Sequence, residues 1–137
     1  MILMPKNLIT AQSLPASPEL LYDMYLDPVA HAAFTGAPVE IEPRAGASFR
    51  AFEGSLTGTI LHLEPKRLIV QTWRSVHFSP DDIDSILILT IWPEGDSARI
   101  ELTHINIADS DFAGVSEGWE KYYWAPWRSY LTSGSHT

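Results

Sequence analysis

Positions 118–131 read GWEKYYWAPWRSYL, and six of these fourteen residues are aromatic. At about 100° per residue, a helix through this stretch gathers most of its bulky side chains on one broad face. With one residue from the preceding turn, that face consists of Val115, Trp119, Tyr122, Tyr123, Pro126, Trp127 and Tyr130. A helix with this much aromatic surface on one side needs a large concave apolar partner. We expect the rest of the chain to supply it.

Trp124 falls outside this predicted face, on the side that carries Lys121 and Arg128. Pro126 is expected to kink the helix close by, because proline lacks an N–H and its ring clashes with the preceding turn. Two interpretations of Trp124 stay open: it covers the rim of the sheet, or it anchors an interface with another protein chain.

The composition of the 137 residues is that of a globular protein, with 45% apolar and 19% charged residues. Nine Lys and Arg stand against 17 Asp and Glu, which gives a formal net charge of −8. Nucleic-acid binding depends on clustered Lys and Arg, and the sequence has no such cluster. The same balance argues against binding to anionic membrane surfaces. We therefore expect neither nucleic acid nor membrane as a partner.

The start of the chain, MILMPK, lacks the basic segment and long apolar run of a signal peptide. No apolar run approaches the roughly 20 residues that cross a bilayer. The absence of cysteine rules out disulfides and thiolate chemistry, and it fits a reducing compartment. These features predict a soluble, cytoplasmic protein.

Two short helices are expected near the amino terminus. Ser17 followed by Pro18, and Asp27 followed by Pro28, each join a capping side chain to a proline suited to the first helical position. Gly36 is the expected C-cap of the second helix.

Six other segments have strand length and are rich in β-branched or aromatic residues, or alternate in polarity: 7–13, 47–53, 56–63, 67–75, 85–92 and 98–107. Short turn sequences separate the last five, which implies antiparallel pairing. In the final segment Ile100, Leu102 and His104 alternate with polar residues, so one face is expected in the core and the other in solvent.

The order of these elements predicts an α+β fold. Its parts are a curved antiparallel sheet of about six or seven strands, a long C-terminal helix that the sheet wraps around, and two short helices after strand 1. We expect residues 1–137 to form a single domain with its core at 8–131.

Several short motifs occur in a characteristic order: Ser17-Pro18-Glu19, Asp27-Pro28, Phe34-Thr35-Gly36, Gly54 with Gly58, Leu63-Glu64-Pro65, IVQTWR at 69–74, and Gly118-Trp119 with Tyr122-Tyr123-Trp124. In this ordered set the chain resembles the family related to the C-terminal domain of the activator of the heat-shock-protein-ninety ATPase. That family belongs to the START-like (SRPBCC), birch-pollen-allergen-like superfamily. The resemblance runs over about 8–131 and implies the helix-grip fold.

Three functions remain open, because members of this superfamily differ in chemistry while sharing the fold. The first is a stand-alone START-like domain that binds a small hydrophobic or amphipathic ligand in a cavity between sheet and C-terminal helix. The second is a chaperone ATPase cofactor or interaction module, which contacts a chaperone or a second copy of the chain. The third is a cyclase- or hydrolase-type enzyme that uses the same cavity.

The ligand-binding hypothesis can be stated residue by residue. Strand alternation turns one set of side chains toward the helix, and the helix turns its aromatic face toward them. The predicted lining is Phe34, Phe49, Gln71, Trp73, Ser85, Leu87, Leu89, Leu102, His104, Trp119, Tyr123 and Trp127. A mostly apolar wall with a few polar groups is typical of a small-molecule site. The alternative is a solid core in which these side chains fill the space.

No catalytic constellation is visible in the sequence, and we predict no catalytic residue. His104 is the best candidate for an acid or base, since it lies on the apolar face. Its alternative role is structural, as an imidazole bonded to a neighbouring carbonyl or hydroxyl. The five histidines lack metal-ligand spacing, and no phosphate or dinucleotide loop occurs, so neither a metal nor a cofactor is predicted.

Overall fold

The computed structural model describes residues 4–133, and within that range it forms one seven-stranded antiparallel sheet. The strands are β1 (Lys6–Leu14), β2 (Val39–Glu40), β3 (Ser48–Ala51), β4 (Leu56–Glu64), β5 (Leu68–Ser75), β6 (Ser85–Glu94) and β7 (Ser97–Ile107). Their order across the sheet is β1-β7-β6-β5-β4-β3-β2. The first strand thus pairs with the last, and the other strands follow one another as the predicted meander.

Two short helices, α1 (Pro18–Leu26) and α2 (Pro28–Thr35), connect β1 to β2 as the sequence predicts. Ser17 Oγ accepts the N–H of Leu20 at 3.2 Å, and Asp27 Oδ2 accepts the N–H of Ala30 at 3.0 Å. These bonds satisfy N–H groups that have no partner within their own helix. The second helix ends at Gly36, whose φ of 80° is a left-handed conformation that glycine adopts without steric cost.

The central strands present the predicted faces to the core. The register places Gln71 of β5 opposite Leu87 of β6, and Leu87 opposite His104 of β7. All three side chains are buried, as are Ile100 and Leu102 of the same alternating set. Side chains alternate between the two faces of a strand. Once the inward residues of one strand are known, the pairing register therefore gives the inward residues of the neighbouring strands.

The C-terminal segment 112–133 is helical but not uniformly α-helical. It runs through α3 (Phe112–Gly118), a π-helical turn (Trp119–Trp124) and α4 (Ala125–Ser133). At the end of the π turn the N–H of Ala125 bonds the carbonyl of Glu120, five residues earlier. The wide turn lies directly before Pro126, where a regular α-helix would bring the proline ring against a carbonyl. The deviation therefore lies where the sequence predicts one.

The π turn changes which aromatic residues face the core. Tyr122, predicted on the buried face, has an exposed fraction of 49%, whereas Trp124, predicted outside it, is 2% exposed. The prediction was wrong for both residues because it assumed 100° per residue throughout. With the wider turn, Trp124 comes back over Trp119, and the two rings stack with centroids 5.6 Å apart and planes at 22°.

The described part of the chain, residues 4–133, contains no helix that is both long and apolar enough to cross a membrane. The predicted fold class is confirmed: a curved sheet of seven antiparallel strands, two short helices after β1 and a long C-terminal helical segment.

Candidate functional site

A cleft of about 460 Å³ opens where β4 and β5 meet the C-terminal helical segment. Its volume falls within the range of about 300–1,000 Å³ that is usual for small-molecule sites. The sheet side of the cleft comprises the turn after β3, the start of β4 and the end of β5 with the residues that follow. The lining residues on this side are Phe52, Ser55, Leu56, Trp73, Ser75, Val76 and His77.

The helix side of the cleft belongs to α3 and the π turn. Gly114 and Gly118 are four residues apart, so they lie on the same side of α3 and leave it without side chains there. The helical wall therefore lacks a side chain at two positions, about one helical turn apart. The lining residues on this side are Asp111, Gly114, Val115, Gly118, Trp119, Tyr122 and Tyr123.

Three aromatic side chains form the floor of the cleft: Trp73, Trp119 and Tyr123 are at most 6% exposed. The rings of Trp73 and Trp119 are tilted by 35° with centroids 6.5 Å apart, and those of Trp119 and Tyr123 by 50° at 4.8 Å. The half-exposed Tyr122 and the exposed Val76 stand at the mouth. The cleft thus leads from solvent to an aromatic floor.

The loop beside the mouth is anchored by Arg74. Its guanidinium donates to the carbonyl oxygens of Ser79 and Asp82, each at 2.7 Å, and bonds the carboxylate of Asp84 at 3.1 Å. A planar guanidinium can satisfy several acceptors at once, so one side chain holds both ends of the turn between β5 and β6.

Of the twelve residues predicted to line a pocket, Trp73, Trp119 and Tyr123 line this cleft. The other nine are buried elsewhere in the core: Phe34, Phe49, Gln71, Ser85, Leu87, Leu89, Leu102, His104 and Trp127. Phe34 and Trp127, for example, stack with centroids 4.1 Å apart and planes at 6°. The cleft therefore lies to one side of the predicted cavity, and the aromatic residues of α2 and α4 pack against each other.

Trp124, the predicted interface candidate, is part of the same packing. Its ring lies between those of Trp119 and Trp127, at centroid distances of 5.6 and 6.3 Å. With 2% of its surface exposed, it offers no contact area to another chain. The interpretation as an interface anchor therefore fails in this fold, because the π turn directs the indole inward.

His104 lies deep in the core, where both of its ring nitrogens are hydrogen-bonded. Trp119 Nε1–H can only donate, so Nδ1 of His104 accepts this bond at 3.2 Å. The imidazole proton must then be on Nε2, which donates to Ser85 Oγ at 2.8 Å. Ser85 donates its own hydroxyl proton to the carbonyl of Trp73 at 2.6 Å. The chain of bonds thus selects the neutral Nε2–H tautomer.

This environment determines what His104 can do. Burial lowers its pKa from 6.5 to about 3, because a charged imidazolium would lose its hydration. The side chain is fully buried and has no unused ring nitrogen. An acid or base needs a free nitrogen within reach of a substrate. The geometry therefore favours the structural role of His104.

A second buried histidine was missed by the sequence analysis. His31 of α2 bonds the carbonyl of Tyr25 through Nδ1 at 2.7 Å, and its Nε2 lies 2.9 Å from the hydroxyl of Tyr123. A carbonyl can only accept, so the proton is on Nδ1 and Tyr123 donates to Nε2. Tyr25 in turn donates to Gln71 Oε1 at 2.6 Å. This network joins α1, α2, the sheet and the C-terminal segment.

Burial lowers the pKa of His31 to about 4 and raises the pKa of Tyr123. Both side chains are therefore neutral hydrogen-bonding groups over a wide pH range. The sequence signal for His31 was its position three residues before Phe34, which places both on one helical face. Its partners could not have been found this way, because they are 6 and 92 residues away.

The polar groups of the cleft are few. Ser75 Oγ accepts the N–H of His77 at 3.0 Å. The other polar side chains of the lining are those of Ser55, His77 and Asp111, with the hydroxyls of Tyr122 and Tyr123. Within residues 4–133, no three His, Asp or Glu side chains come together in a group that could hold a metal ion. The arrangement suits binding of an apolar molecule with one or two polar groups.

Comparison with known proteins agrees with the fold. A model of the family described as Activator of Hsp90 ATPase homolog 1-like protein matches residues 15–131. An uncharacterised protein of Schizosaccharomyces pombe is 36% identical over 61% of this chain and 20% of its own length. The human Activator of 90 kDa heat shock protein ATPase homolog 1 is 29% identical over 78% of the chain and 31% of its own length. The chain thus spans less than a third of either relative.

A solved structure described as an HSP90 activator from Plasmodium falciparum superposes with a TM-score of 0.80. The match covers 93% of this chain and 96% of that one at 18% sequence identity. At this identity the likeness is one of fold, and the function of the cleft has to be argued from the cleft itself.

Proposed function

The chain belongs to the Activator of Hsp90 ATPase homolog 1-like protein family, and from this premise we propose that it is a START-like domain that binds a small apolar or amphipathic molecule in the cleft beside its C-terminal helix. The observation that carries the proposal is the aromatic floor of Trp73, Trp119 and Tyr123 at the bottom of an open space of about 460 Å³. A concave space with a mostly apolar, aromatic lining and a few polar groups is typical of a small-molecule site.

The shape of the helical wall supports this proposal. A side chain added at Gly118 would place its Cβ 3.5 Å from Tyr122 Cδ2, an ordinary van der Waals contact. The backbone and its neighbours therefore do not demand glycine at this position, and alanine would favour the helix. A glycine that the packing does not require, on a cleft wall, keeps space open for a ligand.

Native mass spectrometry of freshly purified protein tests the proposal first, since a retained molecule and the number of subunits appear in the same spectrum. Ligand-observed NMR with small aromatic probes tests it in solution. Gly118→Leu projects a side chain into the cleft and should abolish probe binding, whereas Ala125→Leu, an exposed position on α4, should leave it unchanged. If no probe binds the unaltered protein, or if the two variants behave alike, the proposal is wrong.

A second function is favoured by a separate observation: the 29% identity with the human activator extends over 78% of this chain. We propose as the alternative that the domain contacts a chaperone of the Hsp90 class and changes its ATPase rate. For either function we also propose the cytoplasmic location that the sequence predicts. An ATPase assay with the Hsp90 of the same organism decides: an unchanged rate at high micromolar concentration of the domain rejects it.

The enzyme hypothesis receives less support from the geometry. It relied on His104 as acid or base, and both nitrogens of that ring are bonded inside the core. Among the residues that line the cleft, His77 and Asp111 carry groups able to transfer a proton, but they are on opposite sides, one after β5 and one before α3. We therefore place ligand binding ahead of catalysis.

A further inference from the structure

We propose that the cleft selects flat aromatic molecules that carry a protonated amine, and that the carboxylate of Asp111 binds this amine. The inference rests on the proposed ligand-binding function and specifies its ligand class. Four features of the cleft lead to it: an uncommitted carboxylate, the space beside it, the lack of an opposing cation and the aromatic floor.

The carboxylate of Asp111 has no partner within the described residues. Asp111 occupies the N-cap position of α3, but its side chain makes no capping hydrogen bond. Ser17 and Asp27, the N-cap residues of α1 and α2, both make one. Two residues before it, Asp109 is paired with Lys6 at 3.1 Å. The Asp111 carboxylate thus makes neither a capping hydrogen bond, as Ser17 and Asp27 do, nor an ion pair, as Asp109 does.

Gly114 lies directly beside this carboxylate. A Cβ at position 114 would come within 3.2 Å of Asp111 Oδ1, which is tighter than an ordinary contact. The carboxylate therefore lies against the bare backbone of α3, over a residue that also lines the cleft. A side chain here would require this oxygen to shift by a few tenths of an ångström. The glycine keeps one negatively charged oxygen at the edge of the aromatic space.

The electrostatics of the cleft favour a cation over an anion. The lining within the described residues contains neither Lys nor Arg, and the whole chain has a net charge of −8. Lys121 lies 5.3 Å from the centroid of the Tyr122 ring but is not a lining residue. An anionic ligand such as a fatty acid would approach Asp111 with no lining Lys or Arg to compensate. A protonated amine would meet a free carboxylate in a space partly shielded from water.

The ring arrangement favours an aromatic body for the same ligand. The rings of Trp73, Trp119 and Tyr123 are tilted against one another, and a flat ring system can make offset or edge-to-face contact with the part of each ring that reaches the cleft. At the mouth, Phe52 and Tyr122 meet edge to face at 5.8 Å. The half-exposed ring of Tyr122 can attract a cationic group that stands over its face. An aromatic amine can therefore use the floor and Asp111 at once.

Three probes that share one ring system separate the effect of the charged group from the effect of the ring. Tryptamine carries a protonated amine, tryptophol a neutral hydroxyl and indole-propionate a carboxylate on the same indole. We would measure their affinities by isothermal titration calorimetry near pH 8, where imidazoles are ordinarily neutral. Tryptamine should bind at least about three-fold more tightly than tryptophol, and indole-propionate should bind most weakly.

Two charge-matched variants assign the effect. Asp111→Asn should bring the affinities for tryptamine and tryptophol to within about two-fold of each other while leaving tryptophol binding unchanged. Asp109→Asn removes the same charge from the same turn, outside the lining, and should preserve the preference.

The outcomes separate failure of this inference from failure of the proposed function. If all three probes bind equally, or if indole-propionate binds best, the ligand class is wrong and the cleft remains a binding site. If Asp109→Asn removes the preference as fully as Asp111→Asn does, net charge and not the Asp111 carboxylate is responsible, and the assignment is overturned. If none of the probes binds, the proposed function and this inference fail together.

Discussion

Trp119 on the C-terminal helical segment donates its Nε1–H to Nδ1 of His104 in β7 across 3.2 Å. Both side chains are buried, and the bond joins the helix to the inner face of the sheet. It also determines the tautomer of the imidazole, because the acceptor nitrogen cannot carry the proton. The same indole ring forms part of the cleft floor. One residue thus serves helix docking, the polar network of the core and the candidate binding site.

Trp119→Phe removes this donor while keeping an aromatic ring. Nδ1 of His104 is then left buried without a partner, which we expect to lower the free energy of unfolding by about 1–3 kcal/mol. Urea denaturation measures the change. Tyr122→Phe is the control: it alters the neighbouring half-exposed ring and should stay within about 0.5 kcal/mol of the unaltered protein. Equal losses in the two variants would contradict the assigned bond.

The two buried histidines should be opposite neutral tautomers. The hydrogen-bond partners place the proton of His31 on Nδ1 and that of His104 on Nε2. Nitrogen-15 NMR correlation spectra near neutral pH distinguish the two forms directly. Identical tautomers for both rings, or a charged ring at neutral pH, would show that the networks are assigned incorrectly.

Stability should fall on acidification below pH 6.5. Burial holds the pKa of His31 at about 4 and that of His104 at about 3, whereas both take up a proton near 6.5 in the unfolded chain. Above pH 6.5 both states are neutral and these residues contribute no pH dependence. As the pH falls, the unfolded state binds protons first, so each histidine lowers the free energy of unfolding by about 1.4 kcal/mol per pH unit.

Urea titrations at a series of pH values measure this slope. The contribution of His31 should end near pH 4 and that of His104 near pH 3, once the folded state takes up the same proton. In His31→Gln an amide replaces the ionisable ring. Between pH 6.5 and pH 4 this variant should lose the contribution of one histidine to the pH dependence of the free energy of unfolding, about 1.4 kcal/mol per pH unit. A slope that is unchanged in this variant would contradict the role of His31.

Two glycines should respond to alanine in opposite directions. At Gly58 of β4 a Cβ would lie 2.0 Å from the carbonyl oxygen of Thr72, a backbone atom that cannot move without disturbing β5. Gly58→Ala should therefore cost about 2–4 kcal/mol of stability.

At Gly118 the same added methyl group would make only an ordinary van der Waals contact with Tyr122, and the backbone is helical there, with φ of −63°. Gly118→Ala should raise the free energy of unfolding by roughly 0.5–1 kcal/mol, because alanine loses less backbone entropy in a helix. The same variant narrows the cleft and should weaken probe binding. Higher stability together with lower affinity would identify Gly118 as a residue kept for the site.

Trp124→Ala separates a core residue from an interface residue. Since Trp124 stacks on Trp119 and Trp127 and is 2% exposed, truncation should cost about 3–5 kcal/mol, measured by denaturation of the isolated chain. Trp92→Ala is the matched control, because Trp92 is 41% exposed and should cost much less. A small effect at Trp124 would reopen its interpretation as an interface anchor.

Local sequence signals predicted most of the fold because its elements depend on neighbouring residues. The capping residues Ser17 and Asp27 act on N–H groups three positions away, so both helix starts were predictable. The inward set around His104 was predictable because strand alternation has a period of two and pairing extends it across the sheet. For the C-terminal helix we assumed a uniform 100° per residue, and this assumption placed Tyr122 and Trp124 on the wrong faces.

The sequence by itself determined that an aromatic helix would pack on the inner face of an antiparallel sheet, since both apolar surfaces have to be buried and local periodicity reveals each one. Only the tertiary structure decided which aromatic residues fill the core and which border a cleft. That division depends on a π turn of six residues and on Gly114 and Gly118, which line the cleft on the side opposite β5. It depends also on contacts between residues far apart in the chain, such as His31 with Tyr123. No local pattern records such contacts, because their geometry arises only when the elements pack together.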